Sequence, residues 1–205
     1  MNDGAPALVT PDDAVEQARA DTYGLLARLW SAPPDAALLQ RVARAPAPAA
    51  GAFLDPPWRA LADALRGTTP QAAAAEYDTL FVGVAKPEVY LNASFYLTGF
   101  LHETPLAALR ADLAELGLTR DPASAETEDH VAYLFEVMRW LIAGDDMAHC
   151  NLERQRRFWR ARLQPWIERL CDAVQAHPAA RVYAALAGYT RAYAQVETQA
   201  VDMIE

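Results

Sequence analysis

An all-α fold is predicted by three features: cap-and-proline helix starts, apolar residues recurring at helical spacing, and the lack of a convincing strand-like alternation. Thr10-Pro11-Asp12-Asp13 supplies an N-cap, a proline at the first helical position and acids in the first turn. Val15, Ala18, Leu25, Leu26 and Leu29 then mark the apolar stripe of a first helix, which Pro33-Pro34 stops. A short helix over Asp35 to Arg44 follows, with Leu38, Leu39 and Val42 inward. The Pro/Ala-rich stretch Ala45 to Pro57 reads as a connector, and Trp58, Leu61, Ala62 and Leu65 mark the next helix.

Thr69-Pro70 repeats the cap-plus-proline start of a helix that runs to Phe81. Gly83 and Pro87 break it, so "VGVAKPEVYLNAS" is expected as an irregular loop, followed by a short apolar segment from Phe95 to Leu101. Thr104-Pro105 opens a helix carrying Leu106, Leu109, Leu113 and Leu116, with Gly117 at the C′ position that favours glycine. After the loop "LTRDPASAET" comes an apolar helix ending near Gly144. Three more are expected: Met147 to Leu163, one starting at Pro165, and a last one carrying Val182, Tyr183, Leu186, Tyr189, Tyr193 and Val196. The reading is one all-α domain of nine to ten helices over residues 11–205, with residues 1–10 as a flexible N-terminus.

The chain has 205 residues, 53% hydrophobic and 22% charged, enough apolar material for a sizeable core. Its net charge of −9 argues against nucleic acid as a partner, because phosphate backbones demand a basic face. Cys150 and Cys171 have no metal-type spacing, so a reducing cytosol is the simpler setting. No stretch approaches the roughly 18 consecutive apolar residues of a membrane span. No signal-peptide pattern opens the chain. A cytoplasmic protein with no stable membrane insertion is expected.

"ETEDHVAYLFEVM" stands out because Glu126, Glu128, Asp129 and His130 crowd the front of an apolar helix. Two readings fit. Acids suit the positive end of a helix. An acidic cluster beside an imidazole also suits a guanidinium, which pairs with carboxylates through a fork of donors. A catalytic Asp-His dyad is a third reading, but no nucleophile motif accompanies it. A metal site lacks its spacing: of His102, His130, His149 and His177, only "HETPL" begins like a zinc motif, and its second histidine is missing. In "EYDTLFVG", Tyr77, Leu80 and Phe81 fall on one face, as core or as an aromatic rim for another chain. The run "ERQRRFWRAR" holds five arginines in ten residues, and the net acidity favours a solvated face with ion pairs.

"EYDTLFVG", "PEVYLNASFY", "ETEDH" and the stretch from Phe158 to Tyr193 occur in an order that resembles the TorD/DmsD/NarJ family of cytoplasmic molybdoenzyme chaperones, most closely its TorD/DmsD branch. The resemblance spans Tyr23 to Tyr193. The first motif has the family's Y/F-x-x-L-F-x-G form; the third resembles its E-P-x-D-H signature, with Thr127 in place of the proline. Thr127 is itself a residue type that caps helices. The resemblance implies an all-helical fold. It also implies binding of the twin-arginine leader and the body of a molybdoenzyme catalytic subunit, which is held back from export until its cofactor is inserted. Leu80, Phe81, Asp129 and His130 are the binding residues it implies. On physical grounds, Glu126 or Glu128 joins Asp129 in receiving leader cations and Tyr90 joins the apolar contact. No enzyme activity, cofactor, metal or catalytic residue is assigned. The alternatives are a helical interaction protein with an unrelated client, or an enzyme using the Asp-His dyad. A monomer and a domain-swapped dimer both fit the connectors.

Overall fold

The computed structural model describes residues 11–45 and 48–203. The expectations for residues 1–10 and for Thr10 as a cap lie outside them. Ten α-helices follow in order: α1 (Pro11–Ser31), α2 (Ala36–Arg44), α3 (Asp55–Arg66), α4 (Pro70–Tyr77), α5 (Ala93–Thr98), α6 (Thr104–Glu115), α7 (Val131–Ala143), α8 (Leu152–Phe158), α9 (Ile167–Ala176) and α10 (Val182–Asp202). Two π-helical turns, Asp78–Val82 and Trp159–Leu163, extend α4 and α8. Among the described residues no strand forms, and the fold is all-α as predicted.

Local chemistry sets most of the starts. The Asp35 carboxylate accepts from the Leu38 amide at 2.7 Å, and the Thr69 hydroxyl oxygen accepts from that of Ala72 at 3.2 Å. Gly117, at φ 69°, ends α6, and Leu118 N returns a bond to the Leu113 carbonyl at 2.9 Å. Three expectations are corrected. The helix placed at Met147 begins at Leu152, because Asp146 folds the preceding segment into a turn by accepting from Ala148 N, and Asn151 then caps α8 by accepting from Arg154 N. Pro165 lies in a turn before α9 rather than starting it. The irregular loop expected to run through Ser94 ends at Asn92, because Ala93 and Ser94 already belong to α5.

α1 packs on α7, with Tyr23 against Phe135 at 5.8 Å between ring centroids, and α10 packs on α9 and α3. A buried polar clasp ties these layers. Arg19 on α1 grips Glu197 on α10 through two bonds, Nε to Oε1 at 3.0 Å and Nη2 to Oε2 at 2.9 Å, and reaches Gln155 on α8 at 3.1 Å. The Tyr23 hydroxyl donates to the same carboxylate at 3.0 Å, so Glu197 is buried and satisfied.

The π-turn after α4 lies within the first motif. Gly83 N bonds the Asp78 carbonyl at 2.8 Å, five residues back, and Leu80 and Phe81 are both buried in the core, on the face that their helical spacing gives them. Phe81 packs edge-on against Trp30, Tyr77 and Tyr183. Gly83 has φ 66°, and a Cβ there would lie 2.0 Å from the Lys86 carbonyl oxygen, so only glycine fits. At the head of the same motif, Glu76 accepts from the amides of Arg181, Val182 and Tyr183 and so caps α10.

Candidate functional site

The second and third motifs meet at the entrance of α7. Val131 N bonds the Leu91 carbonyl at 2.8 Å, Ala93 N bonds the Asp129 carbonyl at 2.9 Å, and Asn92 and His130 form an isolated bridge. The first motif joins them through Val89 N, which bonds the Leu80 carbonyl at 2.8 Å. The three motifs are therefore one hydrogen-bonded junction.

Asp129 is 2% exposed and does not cap its own helix. It caps α5 instead: Oδ2 accepts from Ser94 N at 2.9 Å and from the Ser94 hydroxyl at 2.5 Å. Oδ1 accepts from the Thr127 hydroxyl at 2.5 Å and from Asn92 Nδ2 at 3.3 Å. Burial alone would push this carboxyl up, but the bonds from Ser94, Thr127 and Asn92 hold it below the usual carboxylate range. Thr127 thus braces Asp129 and does not cap α7. The cap of α7 is His130, whose Nδ1 accepts from Ala132 N at 3.2 Å, leaving the proton of the neutral ring on Nε2. Burial lowers the His130 pKa to about 4, against a smaller upward pull from Asp129. Among the described residues no hydrogen bond joins the Asp129 carboxylate to the His130 ring.

Of the two acids before them, only Glu126 is exposed. Glu128, half-buried, is held by Arg110 of α6 through two bonds, Nε to Oε1 at 3.1 Å and Nη2 to Oε2 at 2.9 Å, with Arg120 Nε at 3.9 Å. The Arg110 bonds lower its pKa, against burial. Glu126 is exposed, and its carboxylate takes no hydrogen bond or ion pair among the described residues. Burial, and then the charges of Glu126 and Asp78, push the Tyr77 hydroxyl up to about 12.

A cleft of about 570 Å³ opens between the start of α6 and Thr127 of this loop, and two more open along α7. One, of about 340 Å³, lies between α1 and the start of α7 and is lined by Ala27, Arg28, Ser124, Glu126, His130 and Tyr133 among others. The second, of about 270 Å³, lies between the end of α6 and α7, with Leu113, Leu118, Val137 and Trp140 as apolar lining and Arg120 and Glu128 at its edge. Tyr133 and Glu136 line both.

Of the predicted residues, Asp129, His130, Glu126 and Glu128 are brought together. Leu80 and Phe81 lie buried, Phe81 against Trp30, and Tyr90 lines neither cleft along α7: its ring is 4.2 Å from that of Phe95 on α5. Sequence reasoning missed Ser94, Asn92, Arg110, Arg120, Tyr133 and Glu136. The last two carried a signal, since His130, Tyr133, Glu136, Val137 and Trp140 share one helical face. The arginine run is an ion-paired face as read: Arg162 meets Asp112 at 2.6 Å, Arg160 meets Asp202 at 2.6 Å, and Arg154 and Arg157 each meet Glu115 at 3.6 Å. No His/Cys/Asp/Glu group able to hold a metal occurs among the described residues, and no described helix is long and apolar enough to cross a membrane.

The profile of the family described as nitrate reductase delta subunit matches residues 51–172, more than half of the chain and all three motifs. The chain belongs to the nitrate reductase delta subunit family. That family is one of molybdoenzyme maturation chaperones, in keeping with the resemblance. Comparison with curated proteins gives no match. The matched span of the delta subunit family runs from the α2–α3 connector into α9, so α1 and α10, which complete both the core and the α1 wall of the cleft between α1 and α7, lie outside it.

Proposed function

We propose that the chain is a cytoplasmic chaperone that binds the twin-arginine leader, and with it the apo-form, of a molybdenum-containing redox enzyme, holding it from export until its cofactor is in place. The observation that carries this reading is the unpaired, exposed carboxylate of Glu126 at the rim of a cleft that continues past Tyr133 into an apolar one. A twin-arginine leader presents guanidinium groups followed by an apolar stretch able to fold as a helix, and a free carboxylate at the rim of a cleft that leads into an apolar one complements both parts, although Arg28, Arg120 and Arg139 also line the two clefts and Arg139 pairs with Glu136 at 2.7 Å. Leader cations meet Glu126, with Glu136 and Glu128 beside it, and the apolar turn lies on Tyr133, Val137 and Trp140. Asp129 and His130 serve from within by fixing the loop that presents Glu126, Leu80 and Phe81 by supporting the α1 wall through Trp30, and Tyr90 by bracing α5. Binding is stoichiometric and no chemistry follows. The dyad reading has less support: Asp129 is committed to Ser94, Thr127 and Asn92, and a ring with a pKa near 4 is a weak base at neutral pH.

The test is titration calorimetry of synthetic leader peptides into the protein. A twin-arginine leader should bind one to one, weaken as salt rises and keep an apolar residue of affinity. A leader-bearing peptide that shows no saturable binding, with the client enzyme's body also failing to bind, would remove the chaperone reading.

A further inference from the structure

A guanidinium already sits at the mouth of this site, and it belongs to the chain itself. Arg120, in the loop between α6 and α7, donates from Nη1 to the Ser124 carbonyl at 2.5 Å and to the Glu126 carbonyl at 3.1 Å. Its Nε lies 3.9 Å from Glu128 Oε1, and its side chain edges the apolar cleft. The loop is bent around it: Ser124 also bonds the Tyr133 hydroxyl, and Asp121 accepts from Ala123 N at 2.8 Å. Two inward carbonyls and a carboxylate in one arc match the forked donors of a guanidinium. A single ammonium cannot reach all three. The side chain of Arg120 is 30% exposed, so the seat opens to solvent rather than lying sealed in the core.

We propose that Ser124, Glu126 and Glu128 form an arginine-specific seat that Arg120 fills in cis, and that a partner's arginine takes this seat by displacing it. That the partner is the leader rests on the function proposed above; the seat itself does not. Occupancy in cis makes the free protein only fractionally competent, and apparent affinity falls by that fraction. The displaced Arg120 swings toward solvent, where it can pair with Asp121 at the rim of the same cleft. Lysine in the partner would leave Arg120 in place.

The experiment is an NMR titration of the wild type and Arg120→Ala with ethylguanidinium and ethylammonium, followed by the leader peptide. In the variant, ethylguanidinium should shift the amides around Ser124, Glu126 and Glu128 saturably, roughly tenfold more tightly than in the wild type, and ethylammonium should not. The leader should bind the variant more tightly by the same factor, roughly tenfold. If the variant does not fold, the wild type still decides: ethylguanidinium at high concentration, and a twin-arginine leader, should each move the Arg120 Nε–H signal, and a twin-lysine leader should not. Equal ethylguanidinium response in both proteins, or an Arg120 signal unmoved at saturation, overturns the seat. A leader that fails to bind while ethylguanidinium behaves as expected keeps the seat and removes the leader as its partner.

Discussion

The inner and outer faces of the loop before α7 contrast sharply. On the inner face, Asp129 and His130 are 2% and 4% exposed, and the carboxylate oxygens and the acceptor nitrogen of the ring are all matched within the chain. On the outer face, Glu126 stands exposed and unpaired, and Glu128 is shared between two arginines. The residues that look most reactive in the sequence build the junction, and their plainer neighbours meet the solvent. The same few residues thus separate into a part that holds shape and a part, Glu126, whose carboxylate is left to the solvent.

Substitutions should divide along that line. The largest effect is expected from Asp129→Ala, which strands the buried Ser94 amide and hydroxyl and frees Thr127 and Asn92; it should cost about 3–5 kcal/mol of unfolding free energy in urea melts. A loss under about 1 kcal/mol would mean that the junction is not what holds α5 to α7.

Next comes pH. The pKa of His130 is lowered from 6.5 to about 4, so the unfolded chain binds the proton first. Its contribution is fully present above about pH 6.5 and is lost as pH falls through that window toward 4, about 3 kcal/mol in all. His130→Asn keeps a capping side chain and should flatten this part of the stability profile relative to wild type, read by denaturation at pH 7, 5.5 and 4.5. Gly83→Ala forces the Lys86 carbonyl to move and places a side chain at φ 66°; about 2–3 kcal/mol of destabilisation is expected by thermal melting. The smallest change in stability belongs to Glu126→Gln, within about 0.5 kcal/mol, yet it should weaken leader binding about two- to fivefold and flatten its salt dependence.

How much of this was legible depended on range. Thr69 and Gly117 act on the one turn they adjoin, and the sequence places both correctly because the rule is local; Asp35, read as the first residue of its helix, is the cap before it. The start of α8 was missed for a related reason: Asp146 and Asn151 compete for the backbone with the helix that periodicity suggested. Asp129 looked like a helix-entrance acid and is one, but for α5, whose Ser94 lies 35 residues away in sequence. No spacing rule reports such a partner. The same holds for Glu76, which caps α10 more than a hundred residues on. The π-turn at Asp78–Val82 also escaped the periodic reading, which puts Tyr77, Leu80 and Phe81 on one face and so accounts for the burial of Leu80 and Phe81 without showing the wider turn.

The division between the two faces is tested most directly by titrating one leader peptide into Asp129→Asn and Glu126→Gln, with the folded fraction of each measured in the same buffer. Asp129→Asn, once corrected for its folded fraction, should bind as the wild type does, and Glu126→Gln, fully folded, should bind more weakly. Loss of binding by folded Asp129→Asn with Glu126→Gln unaffected would contradict that division, and would make the buried junction itself the surface that meets the client.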